Sequence, residues 1–469
     1  MVQDDDPLIS IITVNFNGKR FLNNLFNSII NLNYPPDKIQ IIMVDNNSKD
    51  GSVEFVKKEF PHVEIVALKE NKGYAGGNNE GFYRSKGKYI ALVNNDCVVD
   101  KNWLGGMLSV FRQYADSCKV GAVGSKVVFY YPYLPLQLIA GSSNKIEPRG
   151  SWRSRRLGVQ IYNVKVRVSG EKESGKSILN ESIKYMDGFY PQESDGKGRV
   201  YRWSRGDAVL AVPLGNLKKD LDLSFKVLSY IKPNNLQLVI GKEIIEDMKV
   251  TGRAKRIKVR IPRRLFTHRK DIINSCGIKI NRSFYSRDRG FEIFDEGQYG
   301  RVEEVFGLSG SSFMMDRKMF EDMGCFDNTF FTYYEDVDLF WRSRLAGWEN
   351  FFTPKSMVRH FHCGTSKEWS YDFIYHVIRN RLLMIFKCGW PFLFFKSYAV
   401  FILSNIINIL NYLAGKLRGI GQKRIDIPIR IRIFFELFYL LPKKLLNRIK
   451  IRKNSKISDS MIKSWMRDF

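Results

Sequence analysis

The sequence predicts an α/β protein in which a parallel sheet is interrupted by an inserted antiparallel β-sandwich and followed by basic amphipathic helices. Three observations carry this. Short apolar runs alternate with helical patterns over the first third of the chain. From about Gly141 the pattern changes to period-two alternation, and from Val305 the helix-and-strand texture returns. The last eighty or so residues mix long apolar stretches with many bases. The expected division is 1–140 and 301–388 for the two halves of one α/β domain, 141–300 for the insertion, and 389–469 for the C-terminal helices.

Each element has its own warrant. Residues 8–14 form an apolar run that ends in Asn15 and Asn17, and an amphipathic helix follows over 19–32. A second strand over 39–44 ends at Asp45, a helix occupies 50–60, and strands fill 63–68 and 89–93. Apolar strands separated by helices imply a parallel sheet covered on both faces. Such sheets bind ligands at the carboxyl ends of their strands, which is where Asn15, Asp45 and Asn94-Asn95-Asp96 fall. Within the insertion, 221–227, 236–240 and 256–261 alternate apolar with polar residues and are separated by turn residues, as in a sandwich.

Composition narrows the function. With 44% hydrophobic residues the 469-residue chain can bury a substantial core, which excludes wholesale disorder. Its six cysteines show no C-x-x-C spacing, which argues against a disulfide scaffold or a thiolate zinc site and suits a reducing cytosol. The acidic opening 1–7 leads straight into a strand, so no signal peptide is expected. A net charge of +27 calls for an anionic partner. Between Lys416 and Lys456 lie 13 lysines and arginines against Asp426 and Glu436. Charge so placed, behind apolar helices, points to an anionic membrane surface. Nucleic acid is disfavoured, because no recognition helix or RNA-binding motif accompanies the charge.

Several segments can carry chemistry. Asp45, at a strand end before a turn, can accept hydrogen bonds from a ribose or a base edge, and it is equally ordinary turn vocabulary. In 71–81 glycines permit close backbone approach and the amides open a helix, where phosphate is favoured, although the G-x-G-x-x-G spacing of nicotinamide sites is missing. Asp96 at the next strand end is suited to a hard cation beside a diphosphate, or to capping the helix that follows. The segment 326–348 sets aromatics before Glu335, Asp336 and Asp338 in a first helical turn, as a catalytic cluster or as complements of the helix dipole. His360 and His362 supply two of the five imidazoles, as ligands or as structural groups.

Taken in order, Ser10 to Asn17, the Asp45 turn, Asn71 to Gly77, Asn94 to Asp96, Ser309 to Met315 and Tyr334 to Leu339 resemble the inverting family-2 glycosyltransferases of the GT-A fold, especially their rhamnosyltransferase-like branch. The resemblance covers roughly 8–140 and 300–390. It implies a nucleotide-sugar site with Thr13, Asn15, Asp45, Asn46, Gly73, Asn94 and Asn95 on the donor. Gly310 and Ser311 then lie near the acceptor, Asp336 is the base with Glu335 and Asp338 beside it, and Asp96 and His360 hold Mn²⁺ or Mg²⁺. Asn94 stands where the family's Asp-x-Asp has its first acid, and the β insertion is absent from the minimal fold. No Gln-x-x-Arg-Trp of the processive synthases occurs, which favours single addition.

The expected partners are a nucleotide-diphosphate sugar, a glycan or lipid-linked acceptor and an anionic membrane surface, with monotopic attachment on the cytoplasmic face. The rival reading is a catalytically degenerate glycan-binding or scaffold subunit.

Overall fold

The computed structural model describes residues 6–145, 155–170, 178–195, 198–215, 218–362, 370–417 and 426–468. Arg418, Lys423 and Arg424 of the basic run lie outside them. The chain divides into two compact units, 1–130 with 274–291 and 299–469, and 131–273 with 292–298.

In the first unit, β1 (Ile9–Asn15), β2 (Ile39–Asp45), β3 (Glu64–Ala67) and β4 (Tyr89–Val93) are parallel, in the order β4-β1-β2-β3. The helices α1 (Lys19–Ile30), α2 (Ser52–Glu59) and α3 (Gly73–Arg84) fall between them. Their apolar positions fix the packing: Phe21, Leu22, Leu25, Phe26 and Ile29 recur at helical spacing on α1 and are all buried.

Beyond β4 the sheet is not parallel as expected. After β5 (Cys97–Val99), α4 (Trp103–Gln113) and β6 (Val120–Phe129), the late strand β7 (Ser312–Asp316) inserts antiparallel between β4 and β6. A last strand, β8 (Glu349–His360), runs parallel to β6 and antiparallel to β5. An apolar run reveals burial but not direction, because both arrangements satisfy the same backbone groups.

Later helices of this unit include α5 (Arg317–Met323), α6 (Glu335–Leu345), α7 (Tyr371–Cys388), α8 (Pro391–Leu417) and α9 (Asp426–Lys453). The apolar stretches on either side of Lys396 join into the single helix α8. Ile429, Ile433 and Leu437 of α9 are buried in one core with Leu382, Leu383 and Ile385 of α7. The C-terminal segment, expected to stand apart from 389 onward, therefore contributes to the core of this unit.

The second unit contains two five-stranded antiparallel sheets that share one apolar core. One includes Val159–Val168, Leu221–Ser229 and Lys255–Ile261; the other includes Ala208–Pro213, Asn234–Ile240 and Tyr133–Ala140. This unit takes in Tyr133–Ala140, a strand placed by the sequence reading in the preceding segment. It also gives back 274–291 to the first unit.

Candidate active site

The strand ends of the first unit gather most of the residues singled out above. Asn15 of β1 donates from Nδ2 to Asp45 Oδ1 at 3.0 Å and accepts on Oδ1 from Asn95 Nδ2 at 2.8 Å. The Ser48 amide donates to Asp45 Oδ2 at 2.8 Å. Asn46 donates to the Gly73 carbonyl at 3.0 Å, fastening the Asp45 turn to the start of α3. Gly73 has φ +69, and a Cβ there would collide with the Phe331 carbonyl, so this helix start requires glycine.

Thr13, Asn15, Asp45 and Asn46 are buried. Asn15, Asp45 and Asn46 direct side-chain hydrogen bonds at one another and at the neighbouring turns, which shapes this wall of the site. The Thr13 hydroxyl is enclosed without a protein partner. The rim is formed by half-buried residues, among them Ser48, Asn94, Gly310 and Asp336.

The β4–β7 pairing brings together the two segments expected to meet donor and acceptor. The Asn94 amide donates to the Ser311 carbonyl at 3.0 Å, immediately beyond the Val93–Ser312 register pair. Ser311 itself is buried and donates to Ser309 Oγ.

Asp96 and His360 meet where β5 pairs with the end of β8: His360 Nε2 lies 3.2 Å from Asp96 Oδ1, and both are buried. His360 Nδ1 faces Asn274 Oδ1 at 3.0 Å, and Asn274 Nδ2 faces His362 Nδ1 at 3.1 Å. With Asn274 accepting the Nδ1 proton, a His360 tautomer bare at Nε2 turns that nitrogen toward the Asp96 carboxylate. Two acceptors at that distance repel unless a cation or proton lies between them, so this pair fits a divalent cation. The Cys97 thiol is also close, but hard cations select oxygen and imidazole over a thiol. Sequence reading missed Asn274 because it lies 86 positions from His360.

The three acids of α6 have three different fates. Asp336 is half-buried; Gly310 N donates to its Oδ2 at 3.0 Å and Val337 N to its Oδ1 at 2.7 Å. Burial outweighs these two amides and raises its pKa to about 6. Glu335 is enclosed, Oε2 has no partner, and burial together with Asp336 holds its pKa well above the usual carboxylate range. Burial disfavours the charged form of Glu335, which suits a base less well than the half-buried Asp336.

Asp338 is fully buried, paired with Arg342 at 2.8 Å and with Lys387 at 2.8 Å. Lys387 also pairs with Asp327, which pairs with Lys444 of α9 at 2.8 Å. This network leaves Asp338 no open oxygen for a substrate, so the catalytic role expected for it is replaced by a structural one.

Two further groups complete the site. Tyr74 donates to the Gly310 carbonyl at 2.5 Å, bracing the residue whose amide holds Asp336. Asp288 is raised in pKa, first by burial, and acts on Asp336 as a neighbouring negative charge. Just before α6, Phe331, Tyr333 and Tyr334 all have positive φ, with φ +64, +64 and +69, a cluster of disfavoured backbone at the approach to the acids.

Known proteins resemble part of this chain. Residues 10–169 match the family model for glycosyl transferase family 2. Over that stretch the chain has a glycosyltransferase family 2 domain of the GT-A fold. Glycosyltransferase AglE of Haloferax volcanii is 28% identical over 129 residues, 27% of this chain and 41% of that protein. The putative teichuronic acid biosynthesis glycosyltransferase TuaG of Bacillus subtilis is 29% identical over 93 residues, 19% of this chain and 36% of that one. The chain thus spans less than half the length of these relatives. Among solved structures, GalNAc-T7 with UDP, GalNAc and Mn²⁺ aligns at a TM-score of 0.42 and 12% identity, covering 82% of this chain and 48% of that one.

Proposed function

We propose that this protein transfers one sugar from a nucleoside-diphosphate donor to a hydroxyl of a glycan or lipid-linked acceptor, with inversion at the anomeric carbon. The observation that carries the reading is Asp336, half-buried, oriented by the Gly310 amide and flanked by groups unsuited to be bases. As the acceptor oxygen attacks, Oδ1 or Oδ2 of Asp336 takes its proton, while the donor's bond to the diphosphate breaks on the opposite side. A carboxylate suffices, since the hydroxyl becomes acidic only as its bond to carbon forms. Asp96 and His360 would hold Mn²⁺ or Mg²⁺, which supplies electrostatic stabilisation of the leaving diphosphate. Asn274 keeps the His360 ring in the orientation this needs.

The same reading sets the protein on the cytoplasmic face of a membrane. Among the described residues one helix is long and apolar enough to cross, Pro391–Tyr412, with mean hydropathy 1.7. Phe392, Phe395, Leu403 and Leu410 on α8 and Phe435, Phe438 and Leu446 on α9 are exposed. Apolar side chains beside Lys443, Lys450 and Lys453 support a helix pair lying in an anionic interface.

The test is a screen of nucleotide sugars with purified full-length protein and Mn²⁺, following nucleoside diphosphate release and the anomeric configuration of the product by NMR. Inverted product from one donor is expected. A retained configuration would remove the single-displacement mechanism, and no turnover with any donor would favour a degenerate subunit.

A further inference from the structure

The outward face of one sheet in the second unit has a composition that the transferase chemistry does not explain. Cross-strand register identifies its members. Glu193, Tyr201, Tyr162, Lys226 and Arg256 lie side by side across five strands. The next rows are Lys165, Ser224 and Lys258, then Arg167, Asp222 and Arg260. The alternate residues Leu223, Phe225, Val227, Ile257 and Val259 are buried in the core, so these rows point away from it.

The face therefore carries six bases, Lys165, Arg167, Lys226, Arg256, Lys258 and Arg260, against Asp222 and Glu193. Lys226 stands directly opposite Arg256, a like-charge pair that destabilises a sheet by itself. The acids are already engaged: Asp222 by Arg167 at 3.2 Å, Glu193 by Arg155, and Asp220, just beyond these rows, by Arg260 at 3.0 Å. Toward the other edge the face turns aromatic. Trp203 stands opposite Gln160, Tyr201 stands beside Glu193, and Arg199 lies over the Tyr162 ring at 5.2 Å.

We propose that this face binds a polyanionic glycan chain, its acid groups against the bases and its sugar rings against Tyr201 and Trp203. Charge complementarity requires an anionic occupant, and the straight rows at strand spacing suit an extended one. The ring faces of Tyr201 and Trp203 beside the bases suit sugar rings, and the transferase reading makes the occupant a saccharide rather than a nucleic acid. The inference rests on the transferase reading only for the partner being a saccharide acceptor, and it names that acceptor's class as acidic.

The experiment uses full-length protein and measures binding to polygalacturonate oligomers, to dextran of equal length, to a 20-residue oligothymidylate and to anionic vesicles. Wild-type protein should bind polygalacturonate in preference to the other two polymers, with affinity falling as salt rises. Lys226→Glu with Arg256→Glu and Lys258→Glu should weaken that binding about tenfold or more, leaving vesicle binding and donor hydrolysis unchanged. If the triple variant does not fold, Arg256→Gln with Lys258→Gln carries the same test with a drop of about threefold. Trp203→Ala should lower affinity without altering the salt dependence. Unchanged polygalacturonate affinity in the charge variants, tighter binding of oligothymidylate, or loss of vesicle binding in the triple variant would overturn the proposal. Donor hydrolysis, scored separately, tells its failure from failure of the transferase reading.

Discussion

The Gly310 amide donates to Asp336 Oδ2 at 3.0 Å while the Gly310 carbonyl accepts from Tyr74 at 2.5 Å, so a single residue links α3 to the acidic turn of α6. A Cβ at residue 310 would meet the Tyr74 hydroxyl at 3.2 Å, which makes this link tight. It is the feature that separates Asp336 from its two acidic neighbours.

Asp336→Asn should lower turnover by about two to four orders of magnitude, the usual scale for loss of a general base. Donor affinity, measured by calorimetry, should be retained. Near-normal turnover would return the role to another group.

The pH dependence follows from the same residue. Burial raises the Asp336 pKa to about 6, above that of a free carboxylate, so the base is increasingly protonated as pH falls through that value. The rate constant kcat/KM should be level above about pH 7 and drop about tenfold per unit well below pH 6. Asp288 and Glu335 face this group, and Asp288→Asn should move the midpoint downward by removing a negative neighbour. A profile flat to pH 5 would exclude Asp336 as the titrating base.

For the cation, Asp96→Ala and exhaustive chelation by EDTA should each abolish transfer. Asn274→Ala should weaken Mn²⁺ binding, read by electron paramagnetic resonance, about tenfold to a hundredfold, since it releases the His360 ring. Full activity after chelation would falsify metal dependence.

The buried network makes a stability prediction. Asp338→Ala leaves Arg342 and Lys387 without their shared carboxylate and should cost about 3–5 kcal/mol in urea unfolding. Asp327, which Lys387 and Lys444 hold well below the usual carboxylate range, stabilises the fold above the unfolded pKa. That contribution should disappear only in strong acid. A change under 1 kcal/mol in Asp338→Ala would return that residue to the candidate catalytic groups.

The membrane reading is tested on the surface of α8 rather than by truncation at Cys388, since removing α9 would uncover the α7 side of the core. Phe392→Ser with Phe395→Ser and Leu403→Ser should move the protein from the membrane pellet to the soluble fraction without changing its melting temperature. Retention in the pellet would place the contact elsewhere.

The sequence by itself determined the strands and helices of the first ninety or so residues, the strand ends at Asn15 and Asp45 with Asp96 just past the next, and the period-two segments of the second unit, because each is a local pattern read along the chain. It brought Glu335, Asp336 and Asp338 to one helical turn but could not sort them. Sorting depended on what lies opposite: the Gly310 amide for Asp336, an enclosed site for Glu335, and Arg342 with Lys387 for Asp338. Tertiary structure likewise decided that Asn274 orients His360, that Tyr133–Ala140 joins the second unit and that Ile429, Ile433 and Leu437 of α9 are core. Periodicity tells which face of an element is apolar. Whether that face meets protein or lipid, and which carboxylate meets a cation, is set by partners far away in the chain.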